Sequence, residues 1–527
     1  MAQQSPEEVA AARRIMACKD FIPLPLRFLI FLLIIIVYQF SGGVYMTAVT
    51  QMAGAMAWLT EDIMMAGYAS LVGLTVAFPL LFRLMFRFTA RSLLLVSTAV
   101  LIVGDVICMY SDWVPLVVFV SFVCGVFKMI GTFICWSNIQ LNITPTRDFA
   151  VFFPFLFTFV LGCVQLSNIG TGYSIWAYDW QTMHLFTIEA LLLIGLMIHI
   201  TMRRHFRQGP YIPFLGIDYL GGVLWSLFLI DIVFICVYGE HYDWWWGEEI
   251  RIATVFAALL LLMSLHRGAT VRHPFIRLET FVQHNMLNIF ILFGGMTLMS
   301  ATSGGLQNIY TGSILHYDTF HTVTLNWGSF WGVLFGAGFS YMGLVRWKWR
   351  NKYVVFIGFV FFTLYQLMLY FLIDASTDKE MLYLPMFCKG AGLCIVYTVL
   401  TYTLACNVPF IYYFEAMCVI GFMRTSIGNP MSSALVTRAF NCIKQKNWTL
   451  LSSEMDGVNL WGEKFSTLYN ELQRQVLLVS LKEVYGYAIW AGLLILILIL
   501  LSDYRGHFTA QIPKMATLWK MIKKGES

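Results

Sequence analysis

Seven ionisable residues stand inside long apolar runs: Asp105, Lys128, Glu189, Asp231, Lys389, Glu415 and Arg424. A charge in hydrocarbon is costly, so such residues face protein or a watery cavity and mark paths for ions, protons or charged substrates. Lysine and arginine at such depth suit an anionic group; carboxylates suit protons. The plainer alternative is a static salt bridge, for instance Lys128 with Asp105, or Lys389 with an acid near Arg424. A second pattern is FRLMFRFTAR, Phe82 to Arg91, with Arg83, Arg87 and Arg91 spaced by four and no acid among them. On one continuous helix they share a face. That face is an anion site, a topology signal or a solvated helix end.

Other chemistries lack their residues. There is no Gly-rich phosphate loop ending in Lys-Ser/Thr, no His-Glu-x-x-His, no His-rich box and no pair of close acids within one span. An ATP-driven machine or a membrane enzyme is therefore not expected. The eleven cysteines lie mostly in apolar runs without metal-type spacing, and they read as small hydrophobes. No cofactor or metal is expected. The net charge of +5 is scattered over short loops, which argues against nucleic acid as a partner.

The elements that must position these charges are membrane spans. Hydrophobic residues make up 59% of the chain and charged ones 12%, against about 25% charged in soluble domains. About 20 apolar residues cross a bilayer as helix. Candidate spans lie near 28–50, 63–82, 92–110, 114–138, 149–172, 183–202, 219–239, 250–266, 285–306, 327–345, 353–373, 381–404, 409–432 and 483–502. The class is an all-α polytopic membrane protein with about fourteen spans, the lipid bilayer being its first partner. The N-terminal segment lacks a signal-peptide cleavage pattern, so the first run is expected to stay as a span.

Loop charge orients the spans. One set of connections holds Arg13, Arg14, Lys19 and Arg27, then Arg83, Arg87 and Arg91, Arg147, then Arg203, Arg204 and Arg207. The same side carries Arg267, Arg272 and Arg277, then Arg346, Lys348, Arg350 and Lys352, and the tail from Arg505 to Lys524. The opposite short connections hold only Arg251 and Lys379 among many acids, such as Asp112, Asp179, Glu240 and Asp374. The positive-inside rule then places both termini in the cytoplasm. Residues 433–482 are expected to form a long extracytoplasmic loop containing an amphipathic helix on or above the membrane.

The two ends of the chain share a pattern. Short basic loops, FRFTAR and VRWKWR, join the second and third spans of each half, and the fourth spans carry CGVFKMIG and CKGAGLC. Two related six-span halves with a midplane site are a common transporter plan. The division expected is a cytoplasmic segment 1–27, a bundle 28–202, a linker 203–284 with two inserted spans, a bundle 285–502 and a basic tail 503–527.

With these elements the chain resembles the major facilitator superfamily, in particular its fourteen-span drug:proton antiporters of the EmrB/QacA type. The resemblance is carried by the layout and by partial motifs. Phe86-Arg87-Phe88-Thr89-Ala90-Arg91 matches two arginines of the family's Asp-Arg-x-Gly-Arg-Arg loop; Arg346 and Arg350 form the second copy. GIDYLGGVLW resembles the start of the seventh span, HPFIRLETF the segment before the ninth and MRTSIGNP the run in the thirteenth; Gly162 and Gly170 fit the fifth-span motif, whose Gly-Pro pair is here Leu166-Ser167. The family's first-span Asp is missing, since no acidic or basic residue lies between Phe28 and Thr60, and Ser121 is nearest the place of the family's fourth-span Arg.

The resemblance implies a major facilitator fold and a secondary transporter of the inner membrane that exports amphipathic organic compounds or drugs, coupled to an ion such as the proton. A transport-inactive scaffold or sensor keeping the fold is the alternative. The family's central path implies roles for Lys128 and Lys389, and for Tyr38, Gln39, Tyr45 and Gln51 on the first span; Arg424, Asp105 and Glu189 are candidates as charges within spans. It implies a gating role for Arg87, Arg91, Arg346 and Arg350. A periplasmic adaptor and an outer-membrane channel are implied as partners by family analogy.

Overall fold

The computed structural model describes residues 17–144, 146, 148–205, 217–283, 285–453 and 465–501. Arg13, Arg14, Arg147, Arg207 and the basic tail lie outside them. Helices dominate. They are α1 (Leu24–Phe40), α2 (Thr60–Val76, continued by Phe78–Arg87), α3 (Ala90–Tyr110), α4 (Val114–Ile143), α5 (Phe149–Ala177), α6 (Trp180–Thr201) and α7 (Tyr219–Tyr238). There follow α8 (Glu248–Thr270), α9 (Met286–Ala301), α10 (Asn326–Tyr341), α11 (Asn351–Leu372), α12 (Lys379–Asn407), α13 (Phe410–Ser453) and α14 (Phe465–Leu501). Each candidate span has its helix. Among the described residues twelve are long and apolar enough to cross a membrane, α2 makes a thirteenth bent by 57°, and α1 is a shorter apolar helix of 17 residues. The chain is an integral membrane protein.

Polar caps start several helices. Side chains of Thr89, Asp148, Asp218 and Asp318 accept backbone N–H groups at the starts of α3, α5, α7 and the short helix Thr319–Thr324. Breaks are equally local. Pro79, which lacks a backbone N–H, opens the second segment of α2 beside the bend. The expected first span, 28–50, stops at Phe40, because Ser41-Gly42-Gly43 leaves helical geometry. Gly43 takes φ +84°, and a Cβ there would sit 2.9 Å from the Ser121 hydroxyl.

The two halves pack alike. In each, the fourth helix touches the second and third, and the third touches the sixth: α4 with α2 and α3, α3 with α6; α12 with α10 and α11, α11 with α14. Across the interface the second helix of each half meets the fifth of the other, α2 with α13 and α5 with α10. The same glycine device sets both inner crossings. A Cβ at Gly125 would strike the Ser70 carbonyl, and one at Gly390 would strike the Ser329 carbonyl. Only glycine lets the backbones approach this closely.

The inserted helices α7 and α8 pair with each other, and α7 lies along the seam between α2 and α13. The Tyr238 hydroxyl donates to Asp62 of α2, while Arg438 of α13 stands 3.5 Å from Glu240. Trp225 packs on Phe422 of α13 at 5.3 Å.

Two expectations change. FRLMFRFTAR is not one helix: Arg83 and Arg87 end α2, Phe88 is extended, and Arg91 begins α3 behind the Thr89 cap. The arginines therefore do not form a single stripe. In 433–482, expected as a long loop containing an amphipathic helix, the described residues are helical continuations of the spans themselves, prolonging α13 to Ser453 and beginning α14 at Phe465. These extensions pair with each other instead of lying flat: Asn447 donates to Ser480 and Glu483, and Trp448 meets Tyr469 at 5.5 Å.

Candidate functional site

A cavity of about 400 Å³ lies between the halves. Its walls come from α1, α2, α4 and α5 on one side and from α12 and α13 on the other. That volume is in the range that holds drug-sized molecules. The lining is mainly aromatic, with Phe82, Phe133, Phe153, Tyr413 and Phe414 prominent. These rings interlock across the interface: Phe82 and Phe133 of the first half stand 5.5 Å and 5.6 Å from Phe414. The cavity sits toward the arginine-bearing end, since Phe86, Phe149 and Phe410 line it and lie next to connections at that end.

At the opposite, acidic end the two halves touch. The Gln51 amide donates to the Thr319 hydroxyl at 3.2 Å across the halves, and Phe320 packs on Tyr173 and Trp176 at 5.2 Å and 5.0 Å.

The polar lining is sparse: Gln39, Thr132, Ser137, Asn138, Gln140, Thr401 and one cation, Arg424. Arg424 is 7% exposed. It lies in a wide turn of α13, Phe422–Ser426, closed by the Ile427 amide donating to the Phe422 carbonyl five residues back. Such π-type turns occur often at functional sites. The guanidinium stands 5.6 Å from the centre of the Tyr397 ring, its Nε has no hydrogen-bond partner, and no acid pairs with it among the described residues. The nearest acid on the same helix, Glu415, is engaged elsewhere: it accepts from the Arg277 backbone at 3.0 Å and the Thr280 hydroxyl at 3.1 Å. A buried guanidinium free of acids is a ready receptor for carboxylate, sulfonate or phosphate.

The other sequence candidates scatter. Gln39 lines the cavity. Lys128 does not: its Nζ donates to the Gln39 and Ser41 carbonyls at 3.0 Å and 2.6 Å, closing the broken end of α1. Lys389 has no ion pair among the described residues and lies outside the cavity lining. The two lysines are not at equivalent heights, because Lys128 follows its crossing glycine by three residues and Lys389 precedes its own by one. Tyr38 is fully buried within the first half, bonded to the Leu94 carbonyl and the Thr98 hydroxyl. Tyr45 bonds to Thr187 at 2.6 Å. Asp105 is buried beside His184, and Glu189 is on the exposed face of α6. Asp231 is partly buried on α7. Arg91 is buried 3.0 Å from the His199 ring of α6, while Arg87 ends α2 and Arg346 and Arg350 are exposed.

Sequence reasoning missed the aromatic walls and His184. The first carry no signal that separates them from lipid-facing rings. The second was visible as a histidine in the apolar run MHLFTIEALLLIG.

No protein-family model matches the sequence, and no curated protein matches it. Solved structures match the fold. A structure of proton dependent oligopeptide transporters gives a TM-score of 0.58 at 11% identity over 90% of this chain and 97% of that one. A mutant of the peptide transporter POT gives 0.56 at 13% identity over 94% and 98%, and the nucleoside transporter NupG gives 0.53 at 12% over 90% and 98%. At these identities the likeness is one of fold: the chain has the major facilitator-type architecture that these transporters share.

Proposed function

We propose that this chain is a secondary active transporter of amphipathic organic anions, working as an exporter in the inner membrane and coupled to an ion gradient, the proton being the leading ion. The observation that carries the reading is Arg424, buried and with no acid paired to it among the described residues, at the edge of an aromatic cavity of about 400 Å³ between the two halves. The anionic group binds the guanidinium while apolar rings or chains lie against Phe82, Phe133 and Phe414. With the arginine-bearing end in the cytoplasm, the cavity lies on the side from which an exporter loads. The solved structures of similar fold are named as transporters, which supports the class and leaves the cargo to this site.

Carboxyfluorescein, an amphipathic organic anion, tests the reading in proteoliposomes by counterflow. Wild type exchanges the dye across the membrane, and Arg424→Gln does not. Absence of exchange by intact wild-type protein, or equal exchange by Arg424→Gln, overturns the reading.

A further inference from the structure

Asp105 of α3 and His184 of α6 face each other inside the first half, with Oδ1 and Nδ1 3.6 Å apart and both side chains 0% exposed. None of their four polar atoms has a hydrogen-bond partner. The pair is walled by Tyr45, whose ring centre is 4.8 Å from that of His184, and by Trp180 at 5.9 Å. Burying an isolated carboxylate costs far more than one protein hydrogen bond returns. One proton on the imidazole turns the two groups into a neutral, charge-assisted pair. Without it, Asp105 must find another positive charge. Lys128 of α4 is within electrostatic reach of Asp105. The other titratable groups facing this cluster are Tyr45, Cys108 of α3 and Cys124 of α4, with Cys163 of α5 beside Lys128.

Lys128 is already engaged, donating to the Gln39 and Ser41 carbonyls at the broken end of α1. Gln39 lines the central cavity, and Tyr45, a few residues on, touches His184. The segment from Gln39 to Tyr45 is thus held at one end by Lys128 and at the other by the histidine.

We propose that Asp105 and His184 form a proton-binding site whose occupancy is relayed through Lys128 to the broken end of α1, and so to the cavity. It rests on the transporter reading and supplies the coupling site that the acid-free first span lacks. With the proton bound, Lys128 stays on the α1 carbonyls. With it lost, the carboxylate draws Lys128 away and frees the segment that carries Gln39.

The test uses the full chain in nanodiscs. Met183-His184 is the chain's one Met–His step, so carbon-13 methionine with nitrogen-15 histidine assigns His184 without a mutation. Its ring nitrogens report directly whether the imidazole carries the proton as the pH is varied. Asp105→Asn should move the midpoint to lower pH, since the anion that favours imidazolium is gone. Lys128→Met should move it to higher pH, since Asp105 loses its other cation; this variant serves if Asp105→Asn does not fold. A neutral ring throughout, or a midpoint that neither substitution moves, overturns the site. Carboxyfluorescein counterflow in the same preparation separates the two readings. Counterflow with an unmoved midpoint sinks the proton site alone. A moved midpoint without counterflow sustains the proton site and sinks the transport reading.

Discussion

Replacing Arg424 by methionine should make the protein more stable and unable to bind its cargo. The guanidinium is 7% exposed and has one favourable contact, the Tyr397 ring at 5.6 Å. Such a cation–π contact is worth about 0.5–2 kcal/mol. Taking an ion out of water costs on the order of several kcal/mol even after relaxation, and an apolar side chain of similar volume removes that penalty. The balance is a gain of about 1–4 kcal/mol, the range seen when buried charges give way to packed hydrophobes. Methionine has the length and flexibility to fill the space beside Tyr397 and Met417. In a chain of 527 residues this appears as a rise of about 1–4 °C in melting temperature, since the shift per kcal/mol, about 2–4 °C in a 150–250-residue domain, shrinks as the chain grows. Dye-based melting in detergent reads it, with and without carboxyfluorescein. Wild type should gain about 2.7 kcal/mol at a ligand concentration a hundred times Kd, and Arg424→Met nothing. If Arg424→Met instead melts several degrees lower, the arginine is a satisfied structural residue and the argument for an anion site collapses.

Phe86 is 2% exposed and stacks edge-on to Phe82 at 4.5 Å, so it belongs to the cavity wall and not to a solvated loop. Phe86→Asp should lose about 3–5 kcal/mol of packing, with an added charge penalty, and give aggregated protein on size exclusion. Phe88→Asp, at an exposed position, should not; equal behaviour of the two would contradict the assignment. At the start of α7, burial alone would raise the Asp218 carboxyl, but Arg267 at 2.7 Å and the Gly221 and Phe275 amides outweigh it and hold the group below the usual carboxylate value. A lowered pKa stabilises the fold above about pH 4, and that stabilisation is lost as pH falls through the lowered value. Asp218→Asn should therefore melt lower than wild type at neutral pH and converge on it in acid; equal melting at neutral pH refutes the linkage. Gln51→Cys with Thr319→Cys, bridged by a short bifunctional thiol reagent in a Cys442→Ser background, should lock the acidic end shut and stop carboxyfluorescein flux. Undiminished flux after complete cross-linking would mean that this contact does not gate.

The helical plan was legible because hydrocarbon leaves the backbone few choices. A span must satisfy its own N–H and C=O groups over about 20 residues, and composition reports that directly. The site was half legible. Arg424 stood out as a charge in an apolar run, and Gln39 as a polar residue on the first span. The rings did not, since Phe82 and Phe414 look in sequence like any of the 44 phenylalanines, and which face turns inward is decided by neighbouring helices. Lys128 was legible as a buried charge but not in its partner. Its carbonyl acceptors exist because Gly42 and Gly43 end α1 early, a tertiary consequence of two residues that the apolar count passed over. His184 does not stand out among the buried charges, because an imidazole adds nothing to the formal charge count.

The places of interest share one physical cause. A regular helix in lipid uses all its backbone polar groups internally and offers nothing to bind with, so irregular backbone survives only where protein or a cavity satisfies it. In this protein α1 breaks at Ser41, and Lys128 takes the carbonyls. The α13 helix widens at Phe422–Ser426, where the Thr75 hydroxyl of α2 meets those of Thr425 and Ser426 at 3.0 Å and 2.9 Å. That widening displaces the register just where Arg424 reaches the cavity edge. The two irregularities lie on opposite halves and flank one cavity, to which the first gives Gln39 and the second Arg424. Each is secured by polar contacts made between helices. On the proposed transport reading, motion of one half against the other would strain the segments that carry Gln39 and Arg424. On that reading, the irregular segments and the groups offered to cargo are the same few residues.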